Sequence, residues 1–135
     1  MSTELNPVIA GEHAQTLLQD IAQWGPVTTI VLHAGSVFEF KGPFPSGVPG
    51  EGFYNLTDSG HGFTGHLGLN KITHITFQES NHRGRMAYAL VFHRDEDTVF
   101  KVFLGRSADG QVIASQLDQF QALKSRWPAT LDNQS

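Results

Sequence analysis

Between Gly25-Pro26 and Gly105 the chain reads in strand-length runs, and this feature restricts its fold more than any other. Val27 to Phe40 is rich in β-branched and aromatic residues, and Gly52 to Leu56, Phe63 to Leu69, Ile72 to Glu79, Met86 to His93 and Thr98 to Leu104 continue the pattern. The breaks carry turn chemistry: Phe44-Pro45-Ser46-Gly47, Pro49-Gly50, Thr57-Asp58-Ser59-Gly60, Asn70-Lys71, Asn81 to Gly84 and Arg94-Asp95-Glu96-Asp97. Consecutive strands joined by short turns imply antiparallel pairing.

Helical periodicity is confined to the two ends. Ala14, Leu17, Leu18, Ile21 and Ala22 fall on one helix face, and Gly25-Pro26 stops that helix because proline cannot continue it. Ile113, Leu117, Phe120, Leu123 and Trp127 form a second stripe between Gln111 and Trp127, stopped by Pro128. Met1 to Ala10 reads as a loose lead-in, and the polar tail after Ala129 as a frayed end. The expected class is α+β: an antiparallel meander sheet of about six or more strands flanked by N- and C-terminal helices. It forms a single domain over 1–135, with an ordered core at 11–127.

A chain of 135 residues suits one domain that needs no covalent staple. Cysteine is absent, which excludes disulfide scaffolds, thiolate catalysis, Fe–S clusters, covalent haem attachment and cysteine zinc sites. Nine Lys and Arg stand against 13 Asp and Glu, a net charge of −4, with no basic run to follow a phosphate backbone. Nucleic acid is therefore not an expected partner. The opening Met-Ser-Thr-Glu-Leu-Asn-Pro has neither the basic nor the apolar region of a secretory signal. No apolar run approaches the roughly 20 residues that span a bilayer. The expectation is a cytoplasmic protein without a membrane partner.

Seven histidines are the remaining soft-metal ligands: His13, His33, His61, His66, His74, His82 and His93. His61 and His66 do not have the i, i+4 spacing of a helical zinc pair. Gly60 to Gly65 lacks the Lys-Ser/Thr of a phosphate loop, and no helix follows it. Ser36, Ser46 and Ser107 have no nucleophile-elbow context, and Asp95, Glu96 and Asp97 suit a solvated turn. The segment Gly60-His61-Gly62-Phe63-Thr64-Gly65-His66 stands apart. Its small residues let a flat group approach the backbone, and His66 at its end can meet a metal. Alternatively the glycines serve a bulge and His66 is a surface strand residue; the residues alone leave both open.

Several short motifs occur in an unbroken order. They are Trp24-Gly25-Pro26-Val27-Thr28-Thr29, Phe38-Glu39-Phe40, Pro45-Ser46-Gly47, Gly52-Phe53-Tyr54-Asn55-Leu56, Gly62 to His66 and Phe103-Leu104-Gly105-Arg106, followed by Gln116, Phe120 and Leu123. With them the chain from Gly11 to Trp127 resembles the HutX/ChuX family of cytosolic haem-utilisation carrier proteins. It is similar to one half of the two-repeat HemS/ChuS proteins.

The resemblance implies a HemS/ChuX-like fold, haem (iron protoporphyrin IX) as the bound group, a homodimer that mimics the two-repeat protein, and haem donor or acceptor proteins as partners. It places one axial ligand at His66 and a second at the position of Leu32, with His33 next to it as an altered second ligand. His61 joins the haem-binding candidates, Lys101 and Arg106 are candidates for the propionates, and Phe63, Phe92 and Phe103 for the porphyrin faces. His82 is a candidate distal ligand in a loop, whereas His74 and His93 read as structural and His13 as solvent-facing.

The sequence departs from the family at Ser80-Asn81-His82-Arg83-Gly84, where R-x-F-M-G is usual, and has no counterpart of a helical stretch before the Gly11 region. Strand alternation adds an expectation about faces. If the family position points into the site, Leu32 does so and His33 faces away, while Thr64, His66 and Gly68 share one face. The implied function is to carry or buffer imported haem in a bacterial haem-iron utilisation pathway. The alternatives are a haem-degrading enzyme, or a binding module for another flat apolar ligand that has lost haem ligation.

Overall fold

The computed structural model describes residues 5–57, 60–127 and 129–131. Strand β1 (Leu5–Ala10) leads through a 3-10 turn into helix α1 (Ala14–Ile21), which buries Ala14, Leu17, Leu18 and Ile21 as its period requires. Strands β2 (Pro26–His33) and β3 (Ser36–Pro43) form a hairpin. Its two linking residues, Ala34 and Gly35, have φ of 52° and 82°, the double positive-φ turn that matches strand twist. Next come β4 (Gly47–Gly50), β5 (Phe53–Leu56), β6 (Gly65–Leu67), β7 (His74–His82), β8 (Arg85–Arg94), β9 (Asp97–Leu104), helix α2 (Ala114–Arg126) and β10 (Ala129–Leu131).

The class is the expected α+β, with a large antiparallel sheet in the order β10-β1-β7-β8-β9-β2-β3. Within it only β7-β8-β9 is a continuous meander; the β2–β3 hairpin docks against β9, and β4-β5-β6 form a separate small meander sheet. Four local expectations fail. Residues 5–10 are not a loose lead-in: Val8, Ile9 and Ala10 pair with Thr76, Ile75 and His74. Residues 129–131 are not frayed but pair with β1. Both ends thus supply edge pairing that neither could make alone. The run Phe63 to Leu69 yields only β6 and a 3-10 turn at Leu69–Lys71, and the turn-like Gly47–Gly50 is a strand.

The pairing register divides the large sheet into two faces. Ile9, Ile75, Phe92, Phe100 and Val31 lie side by side on one face, with Phe77, Leu90, Val102 and Thr29 in the neighbouring row. The helices and the small sheet cover this face. Phe120 of α2 meets Phe77 and Tyr88 edge-on at 5.4 and 5.5 Å, and Phe44 stacks toward Phe100 at 6.5 Å. Thr28, Ile30, Leu32, Lys101, Phe103, Val91 and His93 occupy the open face.

Buried Gln116 ties α2 to the sheet. It accepts from the Gly105 N–H at 2.7 Å and donates to the carbonyls of Trp24 and Pro26 at 3.0 and 2.8 Å. Every polar group of this buried amide is engaged, as burial demands. A Cβ at Gly105 would fall 2.0 Å from the Pro26 oxygen, so only glycine permits this close pass. The Trp24-Gly25-Pro26, Gly105 and Gln116 motifs therefore meet at one joint.

Candidate functional site

A cavity of about 220 Å³ opens between the covered face and the small sheet. Thr29 and Val31 of β2 and Val99 and Phe100 of β9 form its floor; Phe44 and Phe63 form a wall; His66, Leu67, Gly68 and Leu69 form the opposite side over Ile72. The register slips between Phe92↔Phe100 and His93↔Thr98, leaving Val99 as a bulge. Such an extra residue re-aims a side chain, and here Val99 reaches the cavity.

His66 stands exposed at the rim, on β6. Its Nδ1 lies 2.6 Å from Asn55 Oδ1, and its ring is 6.0 Å from that of Phe53. Asn55 is its direct partner in the ladder and Val48 is the partner of Asn55 on the other side. The Asn55 amide nitrogen donates to the carbonyls of Val48 and Gly50 at 3.1 and 3.2 Å. A Cβ on Gly47 would fall 2.4 Å from the Tyr54 ring, so the glycine of Pro45-Ser46-Gly47 exists to let Tyr54 lie across β4. The short motifs around residues 45–56 and 62–66 build one sheet that presents one imidazole.

The other candidates are dispersed. Lys101 is on the open face, where its ammonium donates to Gln78 Oε1 at 2.9 Å. Arg106 donates to the backbone carbonyls of Met86 and Gly110 at 2.7 and 3.0 Å. Neither lines the cavity. His61 lies across Phe63 from it, beside Lys41 and Gly42. Of the three phenylalanines expected against a flat ligand, Phe63 lines the cavity, Phe92 is fully buried beneath, and Phe103 is on the open face. His82 sits at the β7–β8 turn, paired with Arg85.

The face expectation for β2 is overturned. The β2–β3 ladder is regular from Pro26↔Pro43 to His33↔Ser36, so alternation holds throughout. Thr29 and Val31 point into the cavity, which puts Leu32 on the open face and His33 on the side of His66. His33 nonetheless lies beyond Val31 at the exposed hairpin end and lines a separate groove with Arg94 and Asp97.

The open face carries its own imidazole pair. His74 and His93 stack at 4.5 Å and 7°, and His93 Nε2 meets Thr76 Oγ1 at 2.8 Å. Burial, then His74 and Lys101, hold the His93 pKa below its ordinary value. Among the described residues no three His, Asp or Glu side chains converge on a metal position. Asn55 is the site residue that sequence reasoning missed. Its signal was the motif Gly52 to Leu56, but only the sheet pairing puts it beside His66.

Fold and site together define a small α+β domain that offers one histidine at the mouth of an apolar cavity. The chain belongs to the haem utilisation ChuX/HutX family, whose pattern matches residues 8–123. It is 38% identical over 124 residues to the intracellular heme transport protein HutX of Vibrio cholerae, covering 91% of this chain and 64% of that relative's length. The structure of the heme binding protein ChuX superposes with a TM-score of 0.81 at 32% identity, over 90% of this chain and 76% of that one. Holo-PhuS, a heme-binding protein from Pseudomonas aeruginosa, shares the fold at a TM-score of 0.72 and 16% identity, over 96% of this chain and 36% of its own. No helix among the described residues is long and apolar enough to cross a membrane.

Proposed function

We propose that this protein binds haem at the cavity beside His66 and carries or buffers it in the cytoplasm for haem-iron utilisation. The observation that carries this reading is the His66 imidazole. One ring nitrogen is engaged by Asn55 on the outward face of the small sheet, beside Phe53, and the residue lies at the rim of a cavity walled by Phe44, Phe63 and Phe100. The names of its relatives, a heme transport protein and a heme binding protein, support the same ligand.

The residues fit part of a haem. A cavity of about 220 Å³ is smaller than the roughly 300–1,000 Å³ of sites that enclose a drug-sized ligand. One edge of the macrocycle enters, and the remainder lies against the apolar surface that continues from the mouth. Phe38 and Phe40 share the face of Val31 and Thr29 and are 52% and 36% exposed, and Phe53 beside His66 is 48% exposed. A second copy of the chain covers that remainder in the homodimer we favour. For the propionates a cation on the cavity side is Lys71, whose stem passes by Gly68.

The test is a haemin titration followed by its Soret band, with light scattering on the same sample. A saturable Soret shift and a dimer mass are expected. Spectra like those of free haemin at all ratios would overturn the haem reading. Rapid Soret loss in ascorbate and air, insensitive to catalase and yielding a discrete tetrapyrrole, would replace the carrier with a degrading enzyme.

A further inference from the structure

We infer that Asn55 is a positioning residue that fixes the proton of His66 on Nδ1 and leaves the Nε2 lone pair facing outward as the ligand atom. An amide group has one acceptor and one donor end, and its orientation follows from its partners. Here the donor end is committed twice, to the Val48 carbonyl at 3.1 Å and the Gly50 carbonyl at 3.2 Å. Turning the amide over would set its oxygen against two carbonyl oxygens. The end that faces His66 is therefore the oxygen, which only accepts. At 2.6 Å from Nδ1 it requires a proton there. A neutral imidazole holds one proton, so Nε2 carries the lone pair.

The three strands of the small sheet each contribute one part. Backbone carbonyls of β4 orient the amide, β5 carries it, and β6 carries the imidazole, all along the ladder Val48↔Asn55↔His66. Gly50 leaves room for this arrangement, because a Cβ there would stand 3.3 Å from the Asn55 nitrogen and the amide would have to give by a few tenths of an ångström. The consequence for iron rests on the reading of His66 as the haem ligand. A ligating histidine that donates its second N–H to a fixed acceptor is both oriented and made more basic, and removing such an acceptor typically costs about 10–100-fold in metal affinity. The tautomer itself does not depend on haem.

The experiment reads the two separately. Nitrogen-15 spectra of the imidazoles are recorded on the ligand-free protein at a pH where they are neutral, for the parent, Asn55→Leu and Asn55→Asp. The His74 and His93 signals serve as the control for folding. The parent His66 is expected in the Nδ1–H form, Asn55→Leu is expected to shift it toward Nε2–H, and the aspartate carboxylate, also an acceptor, is expected to keep it Nδ1–H. Haemin affinity is expected to fall about 10–100-fold in Asn55→Leu and to be recovered only in part in Asn55→Asp, which keeps an acceptor for His66 but loses both bonds to the Val48 and Gly50 carbonyls. A parent His66 that is mainly Nε2–H, or a tautomer unchanged in Asn55→Leu, overturns the inference. If the tautomer responds while His66→Ala binds haemin like the parent, the ligand reading fails and the positioning of His66 stands. If Asn55→Leu loses the control signals, the parent and Asn55→Asp spectra decide alone.

Discussion

The two faces of the large sheet are built from the same strands and do different things. On β9, Phe100 enters the covered face, where it stacks on Phe92 at 4.4 Å and closes the floor of the cavity. One residue later Lys101 faces the open side and bonds Gln78. On β2, Thr29 and Val31 line the cavity while Thr28 and Ile30 line a shallow groove on the other side. The covered face has helices and a second sheet to bury its side chains, so its apolar residues are core or cavity wall. The open face carries an engaged lysine, an arginine tied to backbone and a stacked histidine pair. A residue's chemistry therefore says little about its role until the strand parity is known.

Stability gives the sharpest break between the faces. Phe100→Ala removes a buried ring from two stacked contacts and is expected to lower the unfolding free energy by about 3–5 kcal/mol. Phe103→Ala, three positions along but half-buried on the open face, is expected to cost under about 2 kcal/mol in the same denaturant titration. Equal losses would mean that the open face is also covered in solution.

Ligand binding divides the histidines in the same way. His66→Ala is expected to weaken haemin binding by more than about a hundredfold, exceeding what loss of a supporting group costs a metal site, and to alter the Soret band. His74→Ala, on the open face, is expected to leave both within twofold. A parent-like spectrum from His66→Ala would remove the cavity from consideration.

Arginine and lysine sharpen the comparison further. Arg106→Gln breaks hydrogen bonds to the Met86 and Gly110 carbonyls and is expected to cost about 1 kcal/mol of stability without changing haemin affinity. Lys101→Gln is expected to change stability by no more than about 0.5 kcal/mol. A large affinity loss in either variant would return the propionates to these residues.

The smallest effect is a pH dependence confined to the open face. Burial, His74 and Lys101 keep His93 neutral in the fold below its ordinary pKa, whereas the unfolded chain takes up the proton near pH 6.5. The unfolded state then holds more protons, so stability is full above about pH 6.5 and declines as pH falls through the lowered folded value. Melting temperatures between pH 5 and 7.5 are expected to show this decline, and His93→Gln to flatten it.

Much of this arrangement was legible in the amino-acid order. The two amphipathic stripes named both helices, β-branched and aromatic runs named β2, β7, β8 and β9, and the ordered motifs named the family and pointed to the cavity-side segment that holds His66. Other features were not. Residues 5–10 and 129–131 carry no periodic signal of their own and become strands only through distant partners: β1 pairs with β7 and β10, and β10 pairs with β1. Gly47–Gly50 reads as a turn because its strand is defined by Tyr54 lying across it.

The sequence by itself determined the local periods and the absence of cysteine chemistry, because these depend on residue type and near neighbours. Only the tertiary structure decided which side of β2 meets the cavity, that Lys101 and Arg106 stand away from it, and that Asn55 stands beside His66. The physical reason is that alternation fixes which residues share a face but not which face is covered. That choice is made where the helices and the small sheet dock, through contacts between residues far apart in the chain.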